Sequence, residues 1–540
     1  MDLKTCFVRS KVKIFTGMLS VITIISIVLL ATCQQASAKL NSNALPSFGI
    51  RETFFNQLGS VLYIPFFTSA AYTQNPVFRA GASTANITPY LGEGIAGGWL
   101  PLPLATHIHD ELHVRSLALD DGKVQLVFVV VDNVEIPREV FDEAKRMIFE
   151  ITQIPKEHIT MSSTHAHSSV WAGPEINPPE PSLSIHDHSA NGSKSPKPLD
   201  AYQQFVAHRI ADGVRIAVNN LEPARIGWGV GSVPQHVFNR RWKLKSPIRN
   251  PFGKMEQVQM NPGIGNPNIL EPAGPTDPGV SILSVQSLEG RPIAVFANYS
   301  LHYVGGVPKG DISADYFAVF ADRIQELLKA DRQDPPFVGI MSNGTEGDVN
   351  NINFGGKPEK YPPYAKMRIV ATDVAQEVFR VYQGVQYKDW VPLGAAQMEL
   401  TLNVRKPDPV QLAWAEKIVH TDKTDKSKNR METVFAERTI QMKEWPEKID
   451  VILQTFRIGD VGIATVPFEP FAEIGLEIKA RSPFKPTFTI ALANGGYGYL
   501  PTPEQHKLGG YETWLSVNKV ETDASVKIVT EILKLFNQVK

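Results

Sequence analysis

A chain of 540 residues, 43% hydrophobic and 20% charged, has ordinary globular composition and length enough to bury a large core. A formal net charge of −1 does not suggest a polyanionic partner such as nucleic acid, and no internal repeat or long low-complexity tract suggests a solenoid or an unfolded chain. Cys6 and Cys33, the two cysteines, both fall in the first 38 residues, so the remainder has no disulfide framework.

Residues 1–38 read as a leader. Lys4, Arg9, Lys11 and Lys13 precede the apolar run "IFTGMLSVITIISIVLLAT", and Ala36-Ser37-Ala38 offers small residues for cleavage. Cleavage near Ala38 is expected, with export to the periplasm, the cell envelope or the exterior. The length of the run leaves a membrane anchor open, and Cys33 in "LATC" leaves a lipid anchor open. Losing the leader removes four basic residues and one acidic, which moves the net charge from −1 to −4. Residues 39–78 follow as an N-terminal extension, and the main domain is expected over 79–540.

Order is expected to begin at "FRAGASTANITPY". "HVRSLALDDGKVQLVFVVVD" reads as two strands about an Asp121-Gly122 turn. Its run "VFVVV" suits a strand buried on both faces, as in a parallel sheet. Pro137 opens the helix "REVFDEAKRMIFEIT", and the strand "HITMSS" follows. Residues 174–200 read as a polar surface loop in which His186 and His188 are solvated rather than metal-bound. An amphipathic helix from Ala201, the strand "ARIGWGVG" and a Pro/Gly-rich excursion over 243–278 come next. A hairpin about Glu289-Gly290, the helix "ADYFAVFADRIQELLK" and the strand "PPFVGIMSNG" resume the pattern. Residues 408–445 read as a charged helical hairpin, a solvated flank or partial lid. "VILQTFRIGDVGIATVPF" and "FTIALAN" supply the last strands, and "DASVKIVTEILKLF" the closing helix. The fold class is therefore α/β, a mainly parallel mixed sheet with flanking helices.

Four metal-competent side chains stand just past the downstream ends of apolar strands. His165 follows "HITMSST", His302 follows "AVFANYSL", Glu469 follows "VGIATVPF", and Tyr499 closes "TIALANGGYGY". In open α/β sheets the ligand crevice lies beyond the carboxyl ends of the strands, so these donors are expected to share one site. Two imidazoles and a carboxylate suit Zn²⁺ with a position left for water. A metallo-β-lactamase-type site would need Asp-His soon after His-Ala-His, which "HAHSSVWAG" lacks. A (β/α)₈ barrel would need more regular alternation than residues 243–278 and 400–450 allow.

From "FRAGASTANITP" to "YETWL" the sequence resembles the catalytic domain of the neutral/alkaline, non-lysosomal ceramidases. The resemblance rests on "THAH", "FNRR", "NYSLH", "SNGTEGDVNN", "PFEPF" and "ANGGYGYLPTPEQHKLGGYE", in that order. It implies one catalytic zinc held by His165, His302, Glu469 and Tyr499, and cleavage of an N-acyl amide. It further implies that His167, Arg240 and Tyr511 surround the substrate carbonyl.

The sequence also departs from that family. Alignment on Gly347-Asp348-Val349 places Gly344 where the family carries its active-site serine, with Ser342 and Thr345 as nearby hydroxyls, and Asn350-Asn351 replaces Ser-Pro. Of these hydroxyls Thr345 is the catalytic candidate. "THAHSSVWAGP" lacks the usual Gly-Pro-Gly-Gly, and the chain ends soon after Tyr511, where the family continues into an immunoglobulin-like domain. Glu346 occupies a position where the family commonly has a small or apolar residue, and either points to solvent or lines the cleft. Asn86, Asn191, Asn298 and Asn343 begin Asn-x-Ser/Thr triplets, read as chance or unmodified.

The expected function is an exported zinc amidohydrolase in which a zinc-activated water cleaves a ceramide-like or smaller polar N-acyl substrate. His167 would relay protons, and Arg240 and Tyr511 would bind the oxyanion. An ester or amide deacylase of carbohydrate or envelope substrates, and a non-catalytic zinc-containing binding protein, are the alternatives. The partner expected is a lipid-like or small acylated molecule, with membrane-surface contact open and no obligate protein partner evident.

Overall fold

The computed structural model describes residues 76–95, 102–172, 198–420 and 430–540. The leader, most of the extension, and His186, His188 and Asn191 lie outside the described residues.

The chain first lays down β1 (Arg79–Asn86), β2 (His113–Asp120) and β3 (Gln125–Val131). The β2–β3 hairpin turns because Asp121 Oδ1 accepts the Lys123 and Val124 N–H groups at 2.8 and 2.7 Å while Gly122 takes φ 88°. Helix α1 (Arg138–Thr152) leads into β4 (Ile159–Ser163). Helix α2 (Ala201–Asn219) starts on a capping box between Asp200 and Gln203, which satisfies end N–H groups that helix geometry leaves unpaired. Strands β5 (Glu222–Ser232), β6 (Gly279–Ser287) and β7 (Pro292–Tyr299), helix α3 (Asp315–Leu327), β8 (Val338–Asn343) and helix α4 (Ala365–Tyr382) complete this half. These strands form an eight-stranded sheet in the order β8-β7-β6-β5-β1-β2-β3-β4.

A second, four-stranded sheet follows: β9 (Leu393–Asn403), β10 (Lys448–Ile458), β11 (Val461–Thr465) and β12 (Thr487–Ile490), in chain order. Helices α5 (Pro409–His420) and α6 (Arg430–Glu444) lie between β9 and β10, α7 (Ala472–Arg481) between β11 and β12, and α8 (Ala524–Val539) closes the chain.

The alternation along β3 shows how the layers stack. Val127, Val129 and Val131 pack with Phe141, Ile148, Ile210 and Val214 of α1 and α2. Leu126, Phe128 and Val130 face the second sheet, meeting Phe456, Ile463 and Phe488; the Phe128 and Phe456 rings lie edge to face at 5.1 Å. The far face of the second sheet is covered by α7 and α8 through Ile474, Ile478, Ile528 and Ile532. Helices, sheet, sheet and helices are thus stacked, and each fully buried large aliphatic or aromatic side chain contributes roughly 1.5–3 kcal/mol.

The α/β class and the mixed sheet agree with the sequence, but the expectation of a mainly parallel core needs correction. Most neighbours in the large sheet are antiparallel; β3–β4 and β7–β8 run parallel, as do β11–β12 in the second sheet. A continuous apolar run reports burial on both faces. Here a second sheet covers one face and helices the other, so antiparallel strands carry the same run. The hairpin of α5 and α6 is also less solvated than a flank, because Phe435, Arg438 and Met442 are buried. Phe435 meets the Tyr511 ring at 6.4 Å and Trp514 at 5.0 Å.

Candidate metal centre

The parallel pairs make the site. Parallel neighbours end on the same side, so β3 and β4, β7 and β8, and β11 and β12 each deliver two chain exits to one rim. The two edges of the large sheet are tied there, as Asn343 Nδ2 donates to the Thr164 carbonyl at 3.2 Å. The segment after β12 joins both edges: Ala491 N–H donates to Asn343 at 3.1 Å and Ser163 N–H to Leu492 at 3.2 Å. Asn298 donates to Ser342 at 3.0 Å, so Asn298 and Asn343 are buried ties rather than accessible glycan acceptors.

His165 stands two residues past β4 with φ 63°, a left-handed conformation uncommon for a non-glycine residue. Its N–H donates to the Asn133 carbonyl at 3.0 Å, and its Nδ1 lies 2.7 Å from the Val134 carbonyl. A carbonyl only accepts, so Nδ1 carries a proton, and Nε2 is the ring nitrogen turned toward the cluster. Nε2 lies 3.3 Å from Glu469 Oε2 and 3.1 Å from His167 Nε2.

His302, three residues past β7, presents its ring to that of His165 at 4.5 Å and 83°. Its Nε2 is 3.9 Å from Glu469 Oε2, and neither ring nitrogen has a hydrogen-bond partner among the described residues, although the side chain is 1% exposed. Burial, then the Arg240 charge, holds its pKa well below the ordinary histidine value. Glu469 and Tyr499 are paired residue to residue in a short parallel bridge, Glu469–Pro470 against Tyr499–Leu500. Burial drives the Tyr499 phenol well above its usual pKa, with Arg240 opposing.

The groups expected to face substrate gather around these donors. The Arg240 guanidinium lies 5.1 Å from the Tyr499 ring centre, and its Nε donates to Glu512 Oε1 at 3.1 Å. The other oxygen of Glu512 accepts from Arg241 Nη1 at 2.6 Å, so one fully buried carboxylate holds two arginines. Arg240 Nη2 has no hydrogen-bond partner among the described residues. His167 is half-buried and stacks on Tyr303 at 3.8 Å. Tyr511 sets its ring 6.0 Å from that of Tyr499, and burial raises its pKa to about 12. Thr345 is placed differently: its hydroxyl faces Ser300 at 3.5 Å, and its side chain fills space that a Cβ on Gly475 of α7 would occupy.

The sequence left Glu346 open between solvent and the cleft, and it did not single out Glu135. Glu346 is fully buried, and its donor atoms group with those of His302 and Glu469, all within 4.8 Å of one another. Burial, then the charge of Glu469, pushes its carboxyl well above the usual range. The flanking Gly344 and Gly347 were the available signal. A Cβ on Gly344 would overlap Ser300, and one on Gly347 would overlap the Glu469 carbonyl, so both positions mark close backbone approach. Glu135, past the end of β3, is buried with its pKa raised to about 7 by burial, and feels Glu469 and His165.

A second set of donor atoms, on His165, His167 and His302, also lies within 4.8 Å. The two sets share His302, and the unpaired imidazole beside two buried carboxylates suits a cation.

No protein-family model matches the chain. Among solved structures, a ceramidase complexed with C2 superposes with a TM-score of 0.61, at 15% identity over 85% of this chain and 75% of that one. The neutral ceramidase from Pseudomonas aeruginosa superposes at 0.58, again at 15% identity, over 86% of this chain and 75% of its own. The fold is that of the neutral ceramidases. At such identity the ceramidase likeness establishes architecture, and the chemistry must be argued from the side chains. In this chain the rim brings Glu469 Oε2 to 3.3 Å from His165 Nε2 and 3.9 Å from His302 Nε2, with Tyr499 paired to Glu469 in the short bridge.

Proposed function

We propose that the protein is an exported, zinc-dependent amidohydrolase that cleaves an N-acyl amide, with a leaving group smaller and more polar than a sphingoid chain. The observation that carries this reading is the convergence of His165 and His302 on Glu469 Oε2, at 3.3 and 3.9 Å, with neither nitrogen of the buried His302 hydrogen-bonded among the described residues. His165, His302, Glu469 and Tyr499 would hold the ion, and a bound zinc supplies Lewis-acid activation of water and of the acyl carbonyl. Arg240, fixed from behind by Glu512, offers its unpaired Nη2 to the carbonyl oxygen as negative charge develops. Tyr511 stands across Tyr499 as a second candidate donor. His167, stacked on Tyr303, would pass a proton to the departing amine.

A polar leaving group is favoured by a cavity of about 330 Å³ lined by Phe238, Asn351, Asn353, Lys357 and Tyr361 among others. Phe238 pairs with Asn350 in a short antiparallel bridge, and Asn351 donates at 3.4 Å to the carbonyl of Tyr303, the ring on which His167 stacks. The decisive experiment offers ceramides, N-acyl amino acids and acetylated sugars to purified protein, before and after chelation and zinc return. Chelator-sensitive release of amine from a polar N-acyl substrate is expected. Release from acetylated sugars alone would assign an ester or sugar deacylase, and no release by zinc-loaded protein would favour a binding protein. Mass measurement of the exported chain, expected to begin near Lys39, tests the leader.

A further inference from the structure

We propose that Glu346 is itself a ligand of the ion, so that the centre presents two carboxylates, Glu346 and Glu469, beside His302. The inference rests on the metal-centre reading above and adds a donor to it. Glu346 is 0% exposed, and neither of its carboxylate oxygens has a hydrogen-bond partner among the described residues. An ionised carboxylate without a partner in a dry interior is costly enough that it either neutralises or recruits a cation. One proton on Glu346 would leave both nitrogens of His302 without a partner, whereas one divalent ion satisfies the two acids and the imidazole together. Arg240 makes no hydrogen bond to Glu346; its Nε is engaged by Glu512.

The backbone holds Glu346 in place on both sides. Gly344 N–H donates to the Tyr299 carbonyl at 2.9 Å and Thr345 N–H to Ser300 Oγ at 3.1 Å, which fastens the loop to the chain leading to His302. Gly347 N–H donates to the Pro470 carbonyl at 2.9 Å, which fastens it to the residue after Glu469. The two glycines bring the loop so close to these segments that the side chain between them has little freedom to swing away. A donor fixed in this way between two others is pre-organised.

The consequence concerns metal preference. Adding Glu346 to His165, His302, Glu469 and Tyr499 gives two nitrogen and three oxygen donors. That set balances the charge of a divalent ion and admits Co²⁺ or Mn²⁺ more readily than a four-donor zinc site.

The test uses the full mature protein stripped of metal, then titrated with Co²⁺ and Zn²⁺, comparing wild type with Glu346→Gln and His302→Ala. Affinity, the visible Co²⁺ spectrum and thermal unfolding are read. Wild type should bind one ion. Glu346→Gln should bind it at least about tenfold more weakly, since even residues behind the ligands cost about 10–100-fold. Its Co²⁺ bands should intensify as the coordination number falls. Metal-free Glu346→Gln should melt no lower than metal-free wild type, because the amide is a neutral isostere of a carboxyl that has no hydrogen-bond partner to lose, while its stabilisation by metal shrinks. A merely structural Glu346 would lower the melting point of both forms and leave the spectrum unchanged. Unchanged affinity and spectrum in Glu346→Gln, with metal lost in His302→Ala, would overturn the proposal and keep the metal centre. Absence of tight binding in wild type would overturn both.

Discussion

Glu469 and Tyr499 face each other residue to residue in a parallel bridge, although 29 positions separate them in the chain. The bridge ties the chain leaving β11 to the chain leaving β12, so a carboxylate and a phenol reach the same rim without either lying in a regular strand of the large sheets. Disturbing the bridge should therefore affect the metal before it affects the core.

Loss of either imidazole should abolish tight metal binding. His165→Ala and His302→Ala each remove a nitrogen donor from a site that has only two ligating imidazoles in this reading, and the apolar core is untouched. Elemental analysis after dialysis should find less than a tenth of the wild-type metal. Full occupancy in both variants would disprove the ligand assignment.

His167 should matter to turnover and not to metal. His167→Ala is expected to keep its zinc and to lose roughly 10²–10⁴-fold in kcat on whichever substrate is cleaved. Combined with Arg240→Ala, the loss should fall short of the product of the two single losses, because groups serving one transition state are non-additive. Loss of zinc from His167→Ala would make it a ligand instead, as its membership of the three-histidine set allows.

Glu512→Gln should be strongly destabilising. The carboxylate is fully buried and bonded to Arg240 at 3.1 Å and Arg241 at 2.6 Å, so its removal leaves two buried guanidinium groups without their counter-charge. Breaking such a network costs about 3–5 kcal/mol, readable as a lower midpoint in urea unfolding. A shift below about 1 kcal/mol would mean that water or another acceptor compensates.

Gly347→Ala should disrupt the centre without touching a ligand. The new methyl group would overlap the carbonyl of Glu469, so either the loop carrying Glu346 or the Glu469 bridge must move. Overpacking of this kind costs about 1–3 kcal/mol, and metal affinity should fall with it. Wild-type affinity in a stable Gly347→Ala protein would show that the loop can shift freely.

Lys145 should make stability rise with pH above neutrality. It is buried in α1, donates to Asn494 at 2.8 Å, and burial lowers its pKa from 10.5 to about 7. Below about pH 7 both states carry its proton. Between about 7 and 10.5 the unfolded chain holds a proton that the folded protein has shed, so unfolding free energy increases with pH. Urea unfolding at pH 7 and pH 9 should show this rise in wild type and a smaller one in Lys145→Met. Equal slopes would mean that Lys145 stays charged in the fold.

The sequence by itself marked the apolar runs and the candidate donors that follow them. Apolar runs followed by His165, His302, Glu469 and Tyr499 are local patterns, legible because burial and side-chain chemistry are written residue by residue. The Asp121-Gly122 hairpin and α1 were legible for the same reason. Only the tertiary structure decided strand direction. An apolar run is the same whether helices or a second sheet cover it, so Val129 and Phe128 could not announce that one faces helices and the other Phe456. Whether Glu346 points to solvent or lines the cleft was left undecided by the same limit. Its burial comes from Ser300 on one side and the Glu469 carbonyl on the other, two segments distant in sequence that close around a loop whose glycines alone let them approach.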